Sequence, residues 1–155
     1  MIFVLGGTGV LGNAIIRVSP DRSCYVPTRA EYDLASSVSP SGQFTVAYLC
    51  GGTKGFADCE GNRKAFRADV DGNIRLAKHL LSKGTFVVFV STEAVEWVAN
   101  AAYARNRLLV EMALIMQPNV AIVRPGKFDE QTVEPLARLC VDVGSNKREG
   151  LHYWP

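Results

Sequence analysis

Long apolar runs are what this chain most visibly lacks: nothing in its 155 residues approaches the roughly 18 consecutive apolar positions of a membrane-spanning helix. No charged leader, extended apolar core or small-residue cleavage site precedes the first glycines, Gly6-Gly7. Together these absences predict a soluble, cytoplasmic protein with no membrane partner. Charge of one sign is also scarce. Seventeen Lys and Arg stand against fifteen Asp and Glu, a formal charge of +2, and no basic run forms the stripe that a nucleic-acid backbone would require. No nucleic-acid partner is expected. Cys24, Cys50, Cys59 and Cys140 form no C-x-x-C pair and have no histidine at ligand spacing, which argues against a zinc site, dithiol redox chemistry or a disulfide framework. They read as small core or surface thiols. His79 and His152 likewise lack partners at ligand spacing and read as structural, so no metal site is expected. There are no internal repeats and no low-complexity linkers, and the length points to one domain over residues 1–155.

What is present alternates between two periodicities. Residues 2–5 and 44–50 are apolar runs of the kind a parallel strand shows when both its faces are covered. Residues 24–28, 85–90, 120–123 and 151–154 read as further strands, with a brief strand at 32–34 and a vestigial helix before Gln43. Leu11, Ala14, Ile15 and Val18 recur at helical spacing until Ser19-Pro20. Phe66, Val70, Ile74, Ala77 and Leu81 mark a long helix after a loop at 53–61, with Gly84 as its C-terminal cap. Residues 103–116 form another, and Leu136, Leu139, Cys140 and Val143 a last helix that stops at Gly144. Strands alternating with helices predict an α/β fold with one doubly wound parallel sheet.

Gly6-Gly7-Thr8-Gly9-Val10-Leu11-Gly12 places Gly6, Gly9 and Gly12 at G-x-x-G-x-x-G spacing between the first strand and the first helix. The first glycine permits a tight turn, the second lets backbone approach a pyrophosphate, and the third lets the helix pack against the strand. The helix N-terminus then faces the phosphates with unpaired N–H groups and the positive end of its dipole. This predicts a Rossmann-type sheet that binds a dinucleotide through Gly6, Thr8, Gly9, Val10, Leu11 and Gly12.

The spacing of these glycines resembles the short-chain dehydrogenase/reductase family, and other segments follow in the family's order. Thr28-Arg29 with Asp33-Leu34 is similar to a segment of the sugar-nucleotide reductases. The resemblance implies that Arg29 contacts the adenosine 2′-phosphate and that Asp33 and Leu34 lie near the adenine. A guanidinium suits a phosphate, and no acidic residue ends this strand, so NADP is the expected cofactor and NAD the alternative. A plain solvated turn is the other reading of Arg29. Gly51-Gly52 stands where relatives keep small residues beside the cofactor. Asp69 falls where many carry an asparagine.

Val90-Ser91-Thr92-Glu93-Ala94-Val95 resembles the family's Ser/Thr segment. The likeness implies that Thr92 hydrogen-bonds a substrate oxygen, with Ser91 its competitor and a cofactor neighbour. Tyr103-Ala104-Arg105-Asn106-Arg107 stands where the family has Tyr-x-x-x-Lys, and Glu111 keeps the family's later acid. A phenol titrates near pH 10, so a cation one turn away is needed to stabilise its anion. Arg107 keeps the charge and could also reach the cofactor ribose, but a guanidinium is effectively never deprotonated, so a proton relay through it is lost. Arg124-Pro125-Gly126 resembles the segment that precedes the substrate loops of extended members. After it only 127–155 remain, so most of the usual substrate region is expected to be absent.

Two functions follow from these residues. One is an NAD(P)H-dependent oxidoreductase or epimerase-like enzyme acting on a small-molecule carbonyl or alcohol, in which Thr92, Tyr103 and Arg107 are catalytic. The other is a non-catalytic NAD(P)-binding sensor or partner subunit. Residues 108–116 are apolar nearly all round, whereas a helix on a sheet needs only a stripe. This predicts a homodimer through that helix and the one at 62–83. The alternative cover is the terminal segment at 151–154.

Overall fold

A computed structural model describes residues 1–21, 23–36, 39–53, 56–98 and 100–154. Along them run β1 (Ile2–Leu5), α1 (Val10–Val18), β2 (Cys24–Tyr25), β3 (Val46–Leu49), α2 (Arg63–Phe66), a π-helical turn (Arg67–Gly72), α3 (Asn73–Ser82), β4 (Phe86–Val90), α4 (Ala94–Trp97), α5 (Ala102–Leu114), β5 (Val120–Pro125), α6 (Val133–Ser145) and β6 (Gly150–Trp154). The strands form one parallel sheet in the order β2-β1-β3-β4-β5-β6. The α/β fold with a single doubly wound sheet is therefore as the sequence implied. β1, β3 and β4 are buried from end to end because helices cover both faces.

Alternate strand residues divide between two cores. Ile2, Val4, Tyr48, Phe86 and Val88 face α1 and α6. Phe3, Leu49, Val87, Phe89 and Ile122 face α3 and α5. Burying one such Phe or Leu side chain contributes about 1.5–3 kcal/mol. The chain goes from β1 through α1 to β2 in one direction across the sheet and from β3 through α3 and α5 to β5 in the other. Those helices lie on opposite faces, so the crossovers share one hand. The last crossover breaks the rule: β5 to β6 continues outward, yet α6 lies on the α1 face. Its hand is reversed, because without α6 the apolar row Val46, Tyr48, Val88 and Val123 would be exposed to water.

Three expectations about local structure are corrected. The strand at 24–28 shortens to Cys24–Tyr25, since Pro27 has no N–H to extend the ladder. Residues 32–34 form no strand but link two turns: Tyr32 and Leu34 are both buried and so imitate strand alternation, but they anchor a loop against α3. Arg75 holds that loop, donating to the carbonyls of Leu34 and Ser36. The vestigial helix partly falls on Ser37 and Val38, and the 53–61 loop on Lys54 and Gly55, which lie outside the described residues. The last helix does not stop at Gly144 but runs to Ser145, and the glycine serves packing instead of termination, since a Cβ there would stand 2.6 Å from the Tyr48 hydroxyl. That glycine seats α6 on β3. Gly84 does end α3, with φ 77°.

Beyond the expected elements, Glu93 leads into the short α4, and β5 runs on through Arg124-Pro125 because β6 pairs with it as far as Trp154. Here the half-buried Arg124 donates to Glu111 through Nε (3.0 Å) and Nη2 (2.5 Å), and to Glu96 (2.7 Å) and the Tyr153 hydroxyl (3.0 Å) through Nη1. Glu111 thus fastens α5 to β5, and Tyr153 adds the terminal strand. Removing Glu111 leaves a guanidinium poorly compensated. Glu111→Ala should lower the unfolding free energy by about 3 kcal/mol, as when one partner of a buried pair is lost. Glu96→Ala, at the exposed end, should cost at most about 1 kcal/mol. Urea titrations of the two variants give the comparison.

Candidate functional site

The sheet reverses its direction of growth between β1 and β3, and at such a switch point the connections leave opposite faces and open a crevice at the carboxyl ends of the strands. The glycine loop occupies that crevice. Gly6 turns the chain with φ 78°, and its carbonyl accepts from the Gly9 N–H at 2.9 Å. A Cβ on Gly12 would overlap the Gly6 carbonyl, so only glycine lets α1 start this close to β1. No side chain caps α1 and no acid stands in its first turn. Its first amides are left for an anion. Thr8 and Val10 are exposed at the mouth, whereas the Leu11 side chain is in the core, so only its backbone N–H is available. Gly51 and Gly52 follow β3, and a Cβ on Gly6 would stand 3.0 Å from the Gly51 Cα.

On the β2 side, Arg29 is 78% exposed and its Nε lies 4.0 Å from the Asp33 carboxylate. Leu34 turns its side chain into the α3 core, away from the crevice. Sequence reasoning missed Glu31. Its carboxylate accepts from the Thr28 N–H (2.8 Å) and hydroxyl (2.9 Å), while the Thr28 hydroxyl accepts from the Glu31 N–H. Those hydrogen bonds hold its carboxyl below the usual range. Thr28-Arg29-Ala30-Glu31 is a capping-box sequence, and that signal was available. It places an acid beside Arg29 although none ends the strand itself.

On the β4 side the structure brings Ser91, Thr92, Tyr103 and Arg107 together at the strand ends. Ser91 continues β4 through a bond from its N–H to the Val123 carbonyl, and its hydroxyl is buried without a partner among the described residues. The half-buried Thr92 accepts from the Ala94 N–H at 3.2 Å, which starts α4 and leaves the hydroxyl proton free. Of the two, Thr92 is the better placed to donate to a ligand oxygen. The Arg107 guanidinium lies 5.7 Å from the Tyr103 ring centre and 5.6 Å from that of Phe89. It donates to the carbonyls of Val90 (3.4 Å) and Gly51 (3.5 Å). Tyrosine and arginine therefore share one helical face over the ends of β3 and β4.

Two further side chains that the sequence did not single out complete this end. Phe56 packs its ring 5.2 Å from that of Tyr103, and Glu60 accepts from the Ala102 N–H at the start of α5. His79 and His152 each contact a backbone carbonyl, of Pro40 and Arg148 respectively, away from the crevice. Among the described residues no cluster of three metal-binding side chains gathers at one point, and no helix is long and apolar enough to cross a membrane.

No protein-family model matches the chain, and a search of curated proteins finds no match. Solved structures do match. The dTDP-4-dehydrorhamnose reductase of Yersinia enterocolitica superposes with a TM-score of 0.84 at 14% identity, covering 99% of this chain and 73% of that one. The hypothetical dTDP-4-dehydrorhamnose reductase of Sulfolobus tokodaii gives 0.83 at 13% identity, over 98% and 75%. The Bacillus anthracis enzyme of that name, in complex with NADP, gives 0.83 at 12% identity, over 99% and 73%. At such identities the likeness establishes the fold, which is that of these reductases.

The thiols near the site are buried or half-buried. Cys59 donates to Asp69 at 3.6 Å, and burial, with Asp69 adding to it, pushes its pKa up to about 11. Burial raises Cys50 to about 12, and Cys140 lies well above its usual value for the same reason. At pH 8 these thiols stay protonated. Cys50, Cys59 and Cys140 should label with iodoacetamide far more slowly in the native protein than in urea, read by mass spectrometry of each cysteine peptide. Rapid native labelling of Cys59 would contradict its placement.

Proposed function

We propose that this chain is an NADP-binding oxidoreductase of the short-chain dehydrogenase/reductase type, acting on a carbonyl or alcohol of a small molecule such as a sugar derivative. The observation that carries the reading is the convergence at one crevice of the uncapped α1 N-terminus, the Gly6–Gly12 close approach and the Tyr103–Arg107 face of α5. The fit of a dinucleotide rests on the structure: orphan amides await an anion, and Gly12 and Gly51 keep the floor clear of side chains. The reductase of known NADP complex with the same fold adds support.

When bound, NADP supplies or accepts a hydride. The chain's own residues supply the rest. Thr92 has a free hydroxyl proton for the substrate oxygen. Tyr103 moves a proton at its phenol oxygen, which has no partner among the described residues. Arg107 keeps a positive charge near that ring without itself relaying a proton. NAD is the alternative cofactor. A catalytically silent NADP-binding subunit is the second reading, favoured by the contacts that hold Arg107 against backbone carbonyls.

Calorimetric titration with NADPH, followed by a panel of aldehydes, ketones and nucleotide sugars monitored by cofactor oxidation, separates these readings. Binding with turnover supports the enzyme, binding without turnover the silent subunit, and no binding removes both. Arg29 is the proposed selector for the 2′-phosphate. Arg29→Ala should weaken NADPH by about tenfold and NADH by less than about twofold, the loss of one charge-assisted contact. Equal losses would assign selection elsewhere.

The proposed assembly is a homodimer. Leu109, Met112 and Met116 are exposed at helical spacing on and just after α5, Met116 to 87%, and Ile115 and Phe66 are exposed as well. The terminal segment covers only part of this helix: as strand β6 it brings Leu151 beside Leu108 and Met112 around a shallow hollow. The same stripe on a second copy would close a two-fold contact. Sedimentation at micromolar concentration should give twice the chain mass, and Met112→Glu should return it to one. A wild type of one chain's mass would sink the dimer.

A further inference from the structure

Behind the crevice two opposite charges are buried on different elements. Arg107 is 6% exposed and comes from α5; Asp69 is 2% exposed and comes from the π-helical turn before α3. Between them passes Gly52, with φ 150°. A Cβ there would stand 2.6 Å from Arg107 Nη2 and 3.0 Å from Asp69 Oδ1, so only glycine fits. The widened turn is the kind of helix irregularity that often re-aims a side chain at a functional position.

Arg107 is not satisfied by its neutral neighbours. Arg107 has five N–H donors but makes two long bonds, both from Nη1, to the carbonyls of Gly51 and Val90. Nε and Nη2 have no hydrogen-bond partner among the described residues. The next carboxylate on its own helix, Glu111, is committed to Arg124. Burying a guanidinium on so few contacts is costly unless a counter-charge stands close. Asp69, across Gly52 and without a direct ion pair, supplies that counter-charge, and it is itself fixed. Oδ1 accepts from the Thr53 N–H at 2.7 Å and Oδ2 from the Cys59 thiol at 3.6 Å. One carboxylate therefore ties both ends of the segment that carries Phe56 against Tyr103.

The position is equally specific. Gly51 lies directly on Gly6, so the pair stands on the β3–β4 side of the glycine loop, and Arg29 on the β2 side. A dinucleotide seated on that loop would have its adenine half toward Arg29 and its other half toward Gly52.

We infer that Asp69 and Arg107 form one positioning unit, in which the carboxylate balances the guanidinium, holds it at the ends of β3 and β4, and leaves Nη2 beside Gly52 for the nicotinamide half of the cofactor. This rests on the NADP reading above. Asp69→Asn strands the guanidinium, and Arg107→Met removes the cation from beside Gly52 and leaves the carboxylate without its counter-charge. Changing both leaves a neutral amide and an apolar side chain, so no charge is stranded, but nothing reaches toward Gly52.

Wild type, Asp69→Asn, Arg107→Met and the double variant are titrated with NADPH and with adenosine 2′,5′-bisphosphate, which has no nicotinamide half, and each is melted. Each single change should weaken NADPH by about tenfold and leave the bisphosphate within about twofold, and the double should lose no more than either single, about tenfold rather than the roughly hundredfold of independent sites. Losses that multiply in the double overturn the unit. Equal loss of both ligands in a single variant also overturns it, by showing a merely structural role. If wild type binds neither ligand, the NADP reading fails on its own. The melting temperatures then decide the pairing: a double variant no less stable than either single supports it, and additive lowering refutes it.

Discussion

The structure depends on one constraint: a parallel sheet apolar on both faces has to be covered on both, by a chain with few helices to do it. α3 and α5 cover one face and α1 only the β1 end of the other. The row Val46, Tyr48, Phe86, Val88 and Val123 would stay wet if the last helix followed the usual hand. Burial of that row outweighs the steric preference for a right-handed crossover, and α6 swings to the α1 face. Gly144 then brings it onto β3, and the reversal leaves β6 at the far edge beside β5.

This layering determines where chemistry can occur. With α1 alone over the first strand, its N-terminus emerges at the switch point with no side chain across it. The α5 face of β4 delivers Ser91, Tyr103 and Arg107 to the same end of the sheet. The polar groups there are held by few bonds, and the partnerless Ser91 hydroxyl and the long contacts of Arg107 contrast with the saturated Arg124 cluster one turn further along α5. The first arrangement leaves donors for a ligand. The second uses its donors to join helix, sheet and terminal strand.

The glycine loop was legible because its geometry is local: glycines at fixed spacing after a buried strand admit few backbone paths, and the close contact of Gly12 with Gly6 needs no distant residue. Tyr103 and Arg107 were legible for the same reason, since four residues on a helix always share a face. Tyr32 and Leu34 misled because burial at alternate positions is common to a strand and to a loop anchored by two side chains. Gly144 misled because a glycine that ends a helix and one that lets a helix approach a sheet are identical in sequence. Glu31 was written in its capping-box spacing but was overlooked.

By itself the sequence determined the alternation of strands and helices, the glycine loop and the residues offered at the strand ends, all of them consequences of spacing along a single element. Only the tertiary structure decided the reversed last crossover, the meeting of Glu111 with Arg124 and the facing of Asp69 and Arg107 across Gly52. Those outcomes join elements many residues apart. They depend on which face of the sheet remains to be buried and which buried charge lacks a partner, quantities that exist only once the chain has packed.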